Sequence, residues 1–379
     1  MSSEIMRFLL IAGYADSVIN FRGPLLKAIQ KMGIEVHVAA PDLEQGSPVR
    51  QRLEACGFRV HNVPLQRVGM NPLADIRSLF HLWRLMKLVG PDYVLGYTVK
   101  PVIYGLLAAR LARVPRRYAL ITGLGYAFQG QGDAHGSRKY LLLLVKKLYA
   151  LALSGAHKVF FQNPDDQKLF NSMKLLDSSA KSMVVNGSGV DVTSFSVAVL
   201  PPKLCFLMIA RFLGDKGIRE YADAARRVKA IHPNVTFSLV GWIDDNPDAI
   251  KNEELDKWVA EGIIEYQGRL SDVRPSIMDC SVYVLPSYRE GTPRTVLEAM
   301  SMGRAIITTD APGCRETVTH GVNGFLVPIK NVESLVSSML YYVENPVQLT
   351  IMGAASRAIA EDKYDVHKVN AVMVNEMFV

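Results

Sequence analysis

Short β-branched and aliphatic runs alternate with longer helical patterns along this chain, and the alternation runs through twice. In the first half, residues 7–12 read as a buried strand, 21–32 as a helix stopped near Gly33, and 34–40 as a second strand closed by Pro41. Residues 92–95 and 118–121 are further strands with helices between them. The pattern restarts at 203–210, continues through a glycine-containing loop into a helix over 218–231, and adds strands at 235–240, 263–266, 282–285 and 305–308. Parallel neighbours need a long crossover, which a helix supplies, so strands separated by helical stretches predict βαβ units and parallel sheets. The fold class is therefore α/β, with two Rossmann-like domains facing each other across a cleft. The polar, turn-rich stretch from Ser188 to Pro202 separates them, giving a first domain over 1–192 and a second from residue 193 onward.

Composition agrees with two substantial cores. The 379 residues are 49% hydrophobic and 21% charged, which excludes disorder as the main state. Charge is uneven: residues 1–196 hold 24 basic and 13 acidic side chains, whereas the remainder holds 19 and 23. A balance of +11 against −4 means that the first half faces something anionic: phosphate, nucleic acid or a membrane surface. Cysteines 56, 205, 280 and 314 are scattered with no CxxC pair, so neither a zinc site nor a disulfide framework is expected. The first seven residues lack the basic start and apolar run of an export signal. The most apolar stretch, 140–153, is interrupted by Lys146 and Lys147 and falls short of the ~20 residues a spanning helix needs. Neither half has GxGxxG after its first strand, which removes the best support for a dinucleotide-dependent oxidoreductase.

Two clusters carry chemistry. The first is the run from Pro286 to Gly303, where a strand ending at Leu285 gives way to a polar turn and Thr292-Pro293 opens a helix. Proline suits the first helical position and Thr292 suits the cap, so the helix start offers backbone N–H groups to an anion or hydroxyl. Glu290 and Glu298 flank that start; each can accept hydrogen bonds from sugar or ribose hydroxyls, and a capped surface helix with two solvated glutamates also accounts for them. The second cluster is Arg211 to Gly217. Arg211 follows a buried strand and Lys216 sits in a glycine-flanked loop, at the carboxyl end of a strand where open α/β sheets bind ligands. An arginine fork and a lysine point charge suit a diphosphate, and an exposed charged loop is the alternative.

These residues resemble glycosyltransferase family 4. The resemblance rests on Tyr288-Arg-Glu-Gly-Thr-Pro through Leu297-Glu-Ala-Met, with Glu290 and Glu298 in E-x7-E spacing, and on Arg211 with Lys216-Gly217. Asn186-Gly-Ser-Gly-Val-Asp191, Ala311-Pro-Gly-Cys-Arg-Glu316 and Gly321-Val-Asn-Gly-Phe-Leu326 are similar to further family segments. The likeness is specific over 203–328 and looser in the first half. It implies a GT-B fold in which the first domain meets the acceptor, the second holds a nucleotide-sugar donor, and residues 363–379 cross back to the first. It further implies that Arg211 and Lys216 neutralise the diphosphate, that Glu298 binds the ribose, and that Glu290 touches donor-sugar hydroxyls. Gly291, Thr292, Pro293 and Arg294 would fix that sugar, and Gly268, Arg269 and Leu270 would line the base. Family members retain anomeric configuration and work without a metal or other cofactor, the basic pair taking the metal's place; the donor would be a UDP-sugar, with GDP as the other nucleotide. Many relatives carry a first-domain histidine where this chain reads Thr122-Gly-Leu-Gly-Tyr126, so Thr122 or the backbone is expected to replace it.

Two first-domain helices carry basic residues suited to an anionic membrane, where each contributes about 1 kcal/mol. One has Arg77, His81 and Arg84 beside Leu79, Phe80 and Trp83; the other has Arg138, Lys139, Lys146 and Lys147 opposite a leucine-rich face. A solvated basic face over an apolar core face explains either helix alone. The expectation is a cytoplasmic enzyme on the inner face of the cell membrane, acting on a polyprenyl-diphosphate-linked saccharide in bacterial polysaccharide or O-antigen assembly. Arg22 and Gly23, after the first strand, and Lys100 are candidates for acceptor or phosphate contact, although an ordinary helix start also explains 20–24. A sugar-nucleotide epimerase of the same fold would lack the basic face and the E-x7-E spacing. A two-lobed binding protein would leave Arg211 and Lys216 without a diphosphate. No recognition motif supports nucleic-acid binding.

Overall fold

The computed structural model describes residues 5–66, 71–123, 137–176, 181–244, 246 and 248–379; the side chains of 137–141 and 181 also lie outside the described part. Two compact units make up the chain, one of residues 1–185 with 370–379 and one of 186–369.

The first unit holds a parallel sheet of seven strands: β1 (Arg7–Ile11), β2 (Glu35–Ala40), β3 (Arg59–Asn62), β4 (Tyr93–Tyr97), β5 (Arg116–Ile121), β6 (Lys158–Phe161) and β7 (Lys181–Val184). Their order is β3-β2-β1-β4-β5-β6-β7. Both faces are covered, which is why the central strands read as continuous apolar runs rather than alternating ones. On one face, Phe8, Leu10, Val36, Val38 and Leu120 pack against helix Gly23–Lys31 and against Met373 and Met377 of the last helix, Val366–Phe378. The Tyr118 hydroxyl donates to the Met377 carbonyl at 2.6 Å, fixing that returning segment. On the other face, Leu9, Ile11, Ala119 and Phe161 meet helices Pro72–Val89, Val99–Ala112 and Ser137–Leu153, which lie side by side.

The second unit holds a six-stranded parallel sheet: β8 (Cys205–Arg211), β9 (Thr236–Trp242), β10 (Glu265–Tyr266), β11 (Val282–Leu285), β12 (Ala305–Thr309) and β13 (Gly324–Val327), in the order β10-β9-β8-β11-β12-β13. This is the doubly wound order, and the direction of winding reverses between β8 and β11. Arg304, fully buried, donates to the carbonyls of Ile277, Met278, Ala198 and Val199, so its charge is surrounded by backbone acceptors and ties the linker to the sheet.

The divisions fall at 185/186 and 369/370, several residues from the 192/193 read from turn composition and the 362/363 implied by the family resemblance. The reason is a short backbone pairing. Val190 N–H donates to Tyr364 and Val366 N–H donates to Val190, at 2.8 and 3.0 Å, so both connecting segments are stitched inside the second unit. A turn-rich composition marks where a chain leaves regular structure, not where its hydrogen bonds cease.

Candidate active site

The winding of the second sheet reverses between β8 and β11, and both sequence clusters lie at the carboxyl ends of those two strands. Arg211 is the last residue of β8. Phe212 and Leu213 lead into a 3-10 turn, Gly214–Lys216, and Gly217 joins that turn to helix Ile218–Ile231. Gly217 has φ +74°, and a β-carbon there would lie 2.2 Å from the Pro286 carbonyl oxygen. Only glycine lets the Lys216 turn sit this close to the backbone that follows β11. The turn is further pinned by the Tyr288 N–H and the Ser287 hydroxyl, which both donate to the Asp215 carbonyl, at 2.8 and 3.2 Å.

Lys216 Nζ donates to Glu290 Oε1 at 2.6 Å, with both side chains largely buried. Burial alone would lower the lysine pKa, but Glu290 and then Asp215 outweigh it and hold it above the ordinary value. Asp215 is pushed up, first by burial and then by Glu290 and Asp248, against the opposing pull of Lys216. The site thus holds a charged ammonium at neutral pH. Arg211 Nη1 donates to Asp244 Oδ2 at 2.9 Å, and the arginine side chain keeps about a third of its surface exposed (35%). Asp244 follows β9 and was not singled out from the sequence, although the rule that points to strand ends points to it equally.

Glu290 is held by its own backbone: its N–H donates to the Pro312 carbonyl at 2.9 Å, and Gly313, at φ +81°, sits so close that a β-carbon would lie 2.2 Å from the Glu290 carbonyl oxygen. The helix after Gly291 runs Arg294–Ser301, with Pro293 in the cap position and no side-chain cap bond. Thr292 is therefore not the cap expected from sequence. Pro293 adopts extended φ −73°, ψ 106°, so the helix starts one residue later, and Thr292 packs against Gly187 instead. Glu298 lies one turn into the helix, 7% exposed, its carboxylate accepting from Arg294 Nε at 2.8 Å. Its pKa is raised because burial outweighs the arginine. Past β10, Gly268 accepts from the Gly241 N–H, Arg269 stacks over the Trp242 ring at 4.4 Å, and Leu270 is partly exposed. Trp242 is a second residue that the sequence reading missed.

In the first unit, Arg22 and Gly23 stand at a π-helical turn and the helix that follows it. Arg22 is 3% exposed and lies 5.3 Å over the Tyr97 ring. Its guanidinium is thus packed within the first unit, beside the carboxyl end of β4. Lys100 donates to Asp75 at 2.8 Å, and Tyr104 donates to the other Asp75 oxygen at 2.9 Å. Just before it, Thr98 has φ +71°, ψ 169°, a region that disfavours residues with a β-carbon, at the carboxyl end of β4. Thr122 follows β5 and is half-buried. Residues 124–126 and the side chains of Arg138 and Lys139 lie outside the described residues. Lys147 is exposed and Lys146 half-buried, but Leu143, Leu144 and Leu151 are exposed beside Lys147. The leucines of this helix are thus not all turned to the core, as the amphipathic reading required. Among the described residues, no group of three or more His, Cys, Asp or Glu side chains is arranged to hold a metal. No helix among them is long and apolar enough to cross a membrane.

Comparison with known proteins identifies the family and the fold. Residues 203–345 match the family described as "Glycosyl transferases group 1", and residues 9–163 match "Glycosyl transferase 4-like". The N,N'-diacetylbacillosaminyl-diphospho-undecaprenol alpha-1,3-N-acetylgalactosaminyltransferase of Campylobacter jejuni is 29% identical over 354 residues, 90% of each chain. The UDP-Gal:alpha-D-GlcNAc-diphosphoundecaprenol alpha-1,3-galactosyltransferase of Escherichia coli is 26% identical over 88% of this chain and 89% of its own. Among solved structures, sucrose-phosphate synthase from Thermosynechococcus elongatus superposes with a TM-score of 0.80 at 18% identity, covering 98% of both chains. Anabaena HepE, solved with UDP and glucose, gives 0.76 at 18% identity over 98% of both chains. The fold is GT-B. The chain belongs to the family 4 glycosyltransferases and is a glycosyltransferase.

Proposed function

We propose that this glycosyltransferase transfers a sugar from a UDP-sugar to a saccharide carried on a polyprenyl diphosphate, with retention of anomeric configuration and without a metal ion. It would act in bacterial cell-surface polysaccharide synthesis as a peripheral enzyme on the cytoplasmic face of the membrane. The observation that carries the reading is the meeting of Lys216 and Glu290, beside Arg211, at the point where the second sheet reverses its winding. The acceptor class is supported by the two relatives above, whose names specify diphosphoundecaprenol-linked saccharides, and the UDP donor by the galactosyltransferase and by HepE.

The chemistry follows from the charges. Cleaving the bond between the sugar C1 and the diphosphate oxygen leaves that oxygen negative and the sugar cationic in character. Arg211 and Lys216 would stabilise the leaving diphosphate, the service a divalent cation renders elsewhere. Donor binding draws Arg211 from Asp244 and shares Lys216 with Glu290, exchanging carboxylate partners for phosphate ones. Glu290 then accepts from donor-sugar hydroxyls, while Gly291 to Arg294 fix the sugar. Glu298, already buried, accepts from the ribose, and Gly268, Arg269 and Leu270 border the base. The acceptor hydroxyl attacks C1 from the face the diphosphate leaves, and its proton passes to the departing phosphate oxygen. Glu290 is not a nucleophile in this scheme. The first unit would meet the acceptor, with Arg22, Gly23, Lys100 and Thr122 proposed for acceptor or phosphate contact.

The test is transfer from a panel of UDP-sugars to a short-chain polyprenyl-diphosphate saccharide in excess chelator, with the anomeric configuration of the product read by NMR. An α-linked product from an α-donor is expected. An inverted product, or dependence on added metal, would overturn the mechanism, and a free epimerised sugar nucleotide would overturn the reaction class.

A further inference from the structure

Helix Pro72–Val89 has an unusual outer surface. Asp75, Ser78, Leu82, Met86 and Val89 are buried, so the inner face is accounted for. The opposite face carries Leu73 (79% exposed), Ile76 (63%), Phe80 (50%) and Leu88 (85%), interleaved with exposed Arg77, Arg84 and Lys87. At 100° per residue these seven positions fall within an arc of about 120°. A surface helix ordinarily turns apolar residues in and polar ones out. This one is apolar on both faces, and its only acidic residue, Asp75, is on the buried side. Arg84 stands over the Phe80 ring at 5.8 Å, so the charged and apolar groups form one surface rather than two stripes.

Helix Ser137–Leu153, on the same face of the sheet, repeats the pattern with exposed Leu143, Leu144 and Leu151 around Lys147, and it too contains no acidic residue. The inner side of helix Pro72–Val89 is anchored. Asp75 holds Lys100 and Tyr104 of helix Val99–Ala112, so the element is presented as a fixed ridge.

We propose that this outer face docks on an anionic lipid bilayer, with Leu73, Ile76 and Phe80 entering the acyl boundary and Arg77, Arg84 and Lys87 reaching up to lipid phosphates. The inference rests on the peripheral-membrane reading above and names the surface responsible. Apolar residues mixed with basic ones and no acids fit a headgroup layer, where long basic side chains snorkel while their neighbours are buried. Arginine and aromatic residues also suit a protein interface, but Lys87 and the absence of any acid on this face favour an anionic headgroup layer, since lysine is depleted at protein interfaces.

The experiment is flotation of the full chain with phosphatidylglycerol–phosphatidylcholine vesicles and with phosphatidylcholine alone. It compares wild type, the triple variant Leu73→Gln/Ile76→Gln/Phe80→Gln and the double variant Arg77→Gln/Arg84→Gln. All five positions are exposed, so Tm and the stabilisation by UDP should be unchanged in both variants. The wild type should bind the anionic vesicles. The triple variant should lose at least tenfold in affinity at any salt concentration, and the double variant should lose most at low salt. Wild-type binding that survives the triple substitution would overturn the surface while leaving peripheral attachment in place. No vesicle binding by the wild type would overturn both. Self-association of the wild type that the triple variant abolishes, without vesicle binding, would assign the face to a second copy and overturn the lipid proposal.

Discussion

Lys216 sits where a single charge has several dependents. Glu290 and Asp215 raise its pKa and it opposes the rise at Asp215, so removing it leaves two carboxylates close together with less to balance them. Lys216→Ala should lower turnover by about 10²–10³-fold, the usual effect of deleting one group that stabilises transition-state charge. It should also weaken stabilisation by UDP while the far-UV spectrum stays native; steady-state rates and thermal unfolding check both. Arg211 and Lys216 were legible in the sequence because each stands at a strand end flanked by recognisable punctuation. Asp244 and Asp75 were not, because a lone acid acquires meaning only when folding brings it to a basic partner 33 or 25 residues away. A second residue-level pair has a pH signature. His37 and His61 stack on neighbouring strands and share a hydrogen bond of 2.9 Å, with Glu35, Arg7, Arg59 and Arg50 around them. Burial, followed by His37 and Arg50, lowers the His61 pKa to about 4, below the ordinary 6.5. The unfolded chain therefore binds the proton first. Stability contributed by neutral His61 is complete above pH 6.5 and is lost as the pH falls towards 4. Tm should fall over that window, and His61→Gln should flatten the fall; an unchanged slope would remove the pair from the account.

At the scale of elements, the close approach of Gly217 to Pro286 locks the turn after β8 to the segment after β11. Gly217→Ala combines a positive φ with a backbone clash, so a loss of about 2–3 kcal/mol is expected in denaturant unfolding, with weaker UDP binding because Lys216 rides on the displaced turn. Normal UDP binding in a destabilised variant would separate the turn from the donor site. Most interior strands were readable because burial on both faces makes them continuous aliphatic runs; β6, only four residues long and opening on a lysine, is interior and left no clear signal. β3, β7 and β10 lie at or beside sheet edges and read Arg-Val-His-Asn, Lys-Ser-Met-Val and Glu-Tyr. Strands with one neighbour need not be apolar, so β3, β7 and the edge strand β13 left no strand signal, and β10 is shorter than the 263–266 expected. The one-residue offset at Thr292-Pro293 has a similar cause: proline is accepted both in the cap and at the first helical position, and only the extended ψ of Pro293 decides between them.

For the molecule as a whole, composition separated a basic first half from an acidic second half, and the two compact units follow that division closely. The repeated strand–helix alternation made the two Rossmann-like halves legible and the family resemblance made them GT-B, while the exposed leucines of the basic helices were not legible, because periodicity shows that a helix has faces without showing which are covered. On the proposed function, the second unit binds a UDP-sugar through Lys216, Arg211 and Glu298. Its most direct test is thermal unfolding of wild type and Lys216→Ala with UDP, GDP and a panel of UDP-sugars. At about 100 times the dissociation constant a ligand adds about 2.7 kcal/mol. Tm should rise with UDP, rise further with a particular UDP-sugar, and shift much less in the variant. Equal shifts in wild type and variant, or a shift with neither nucleotide, would contradict that proposal.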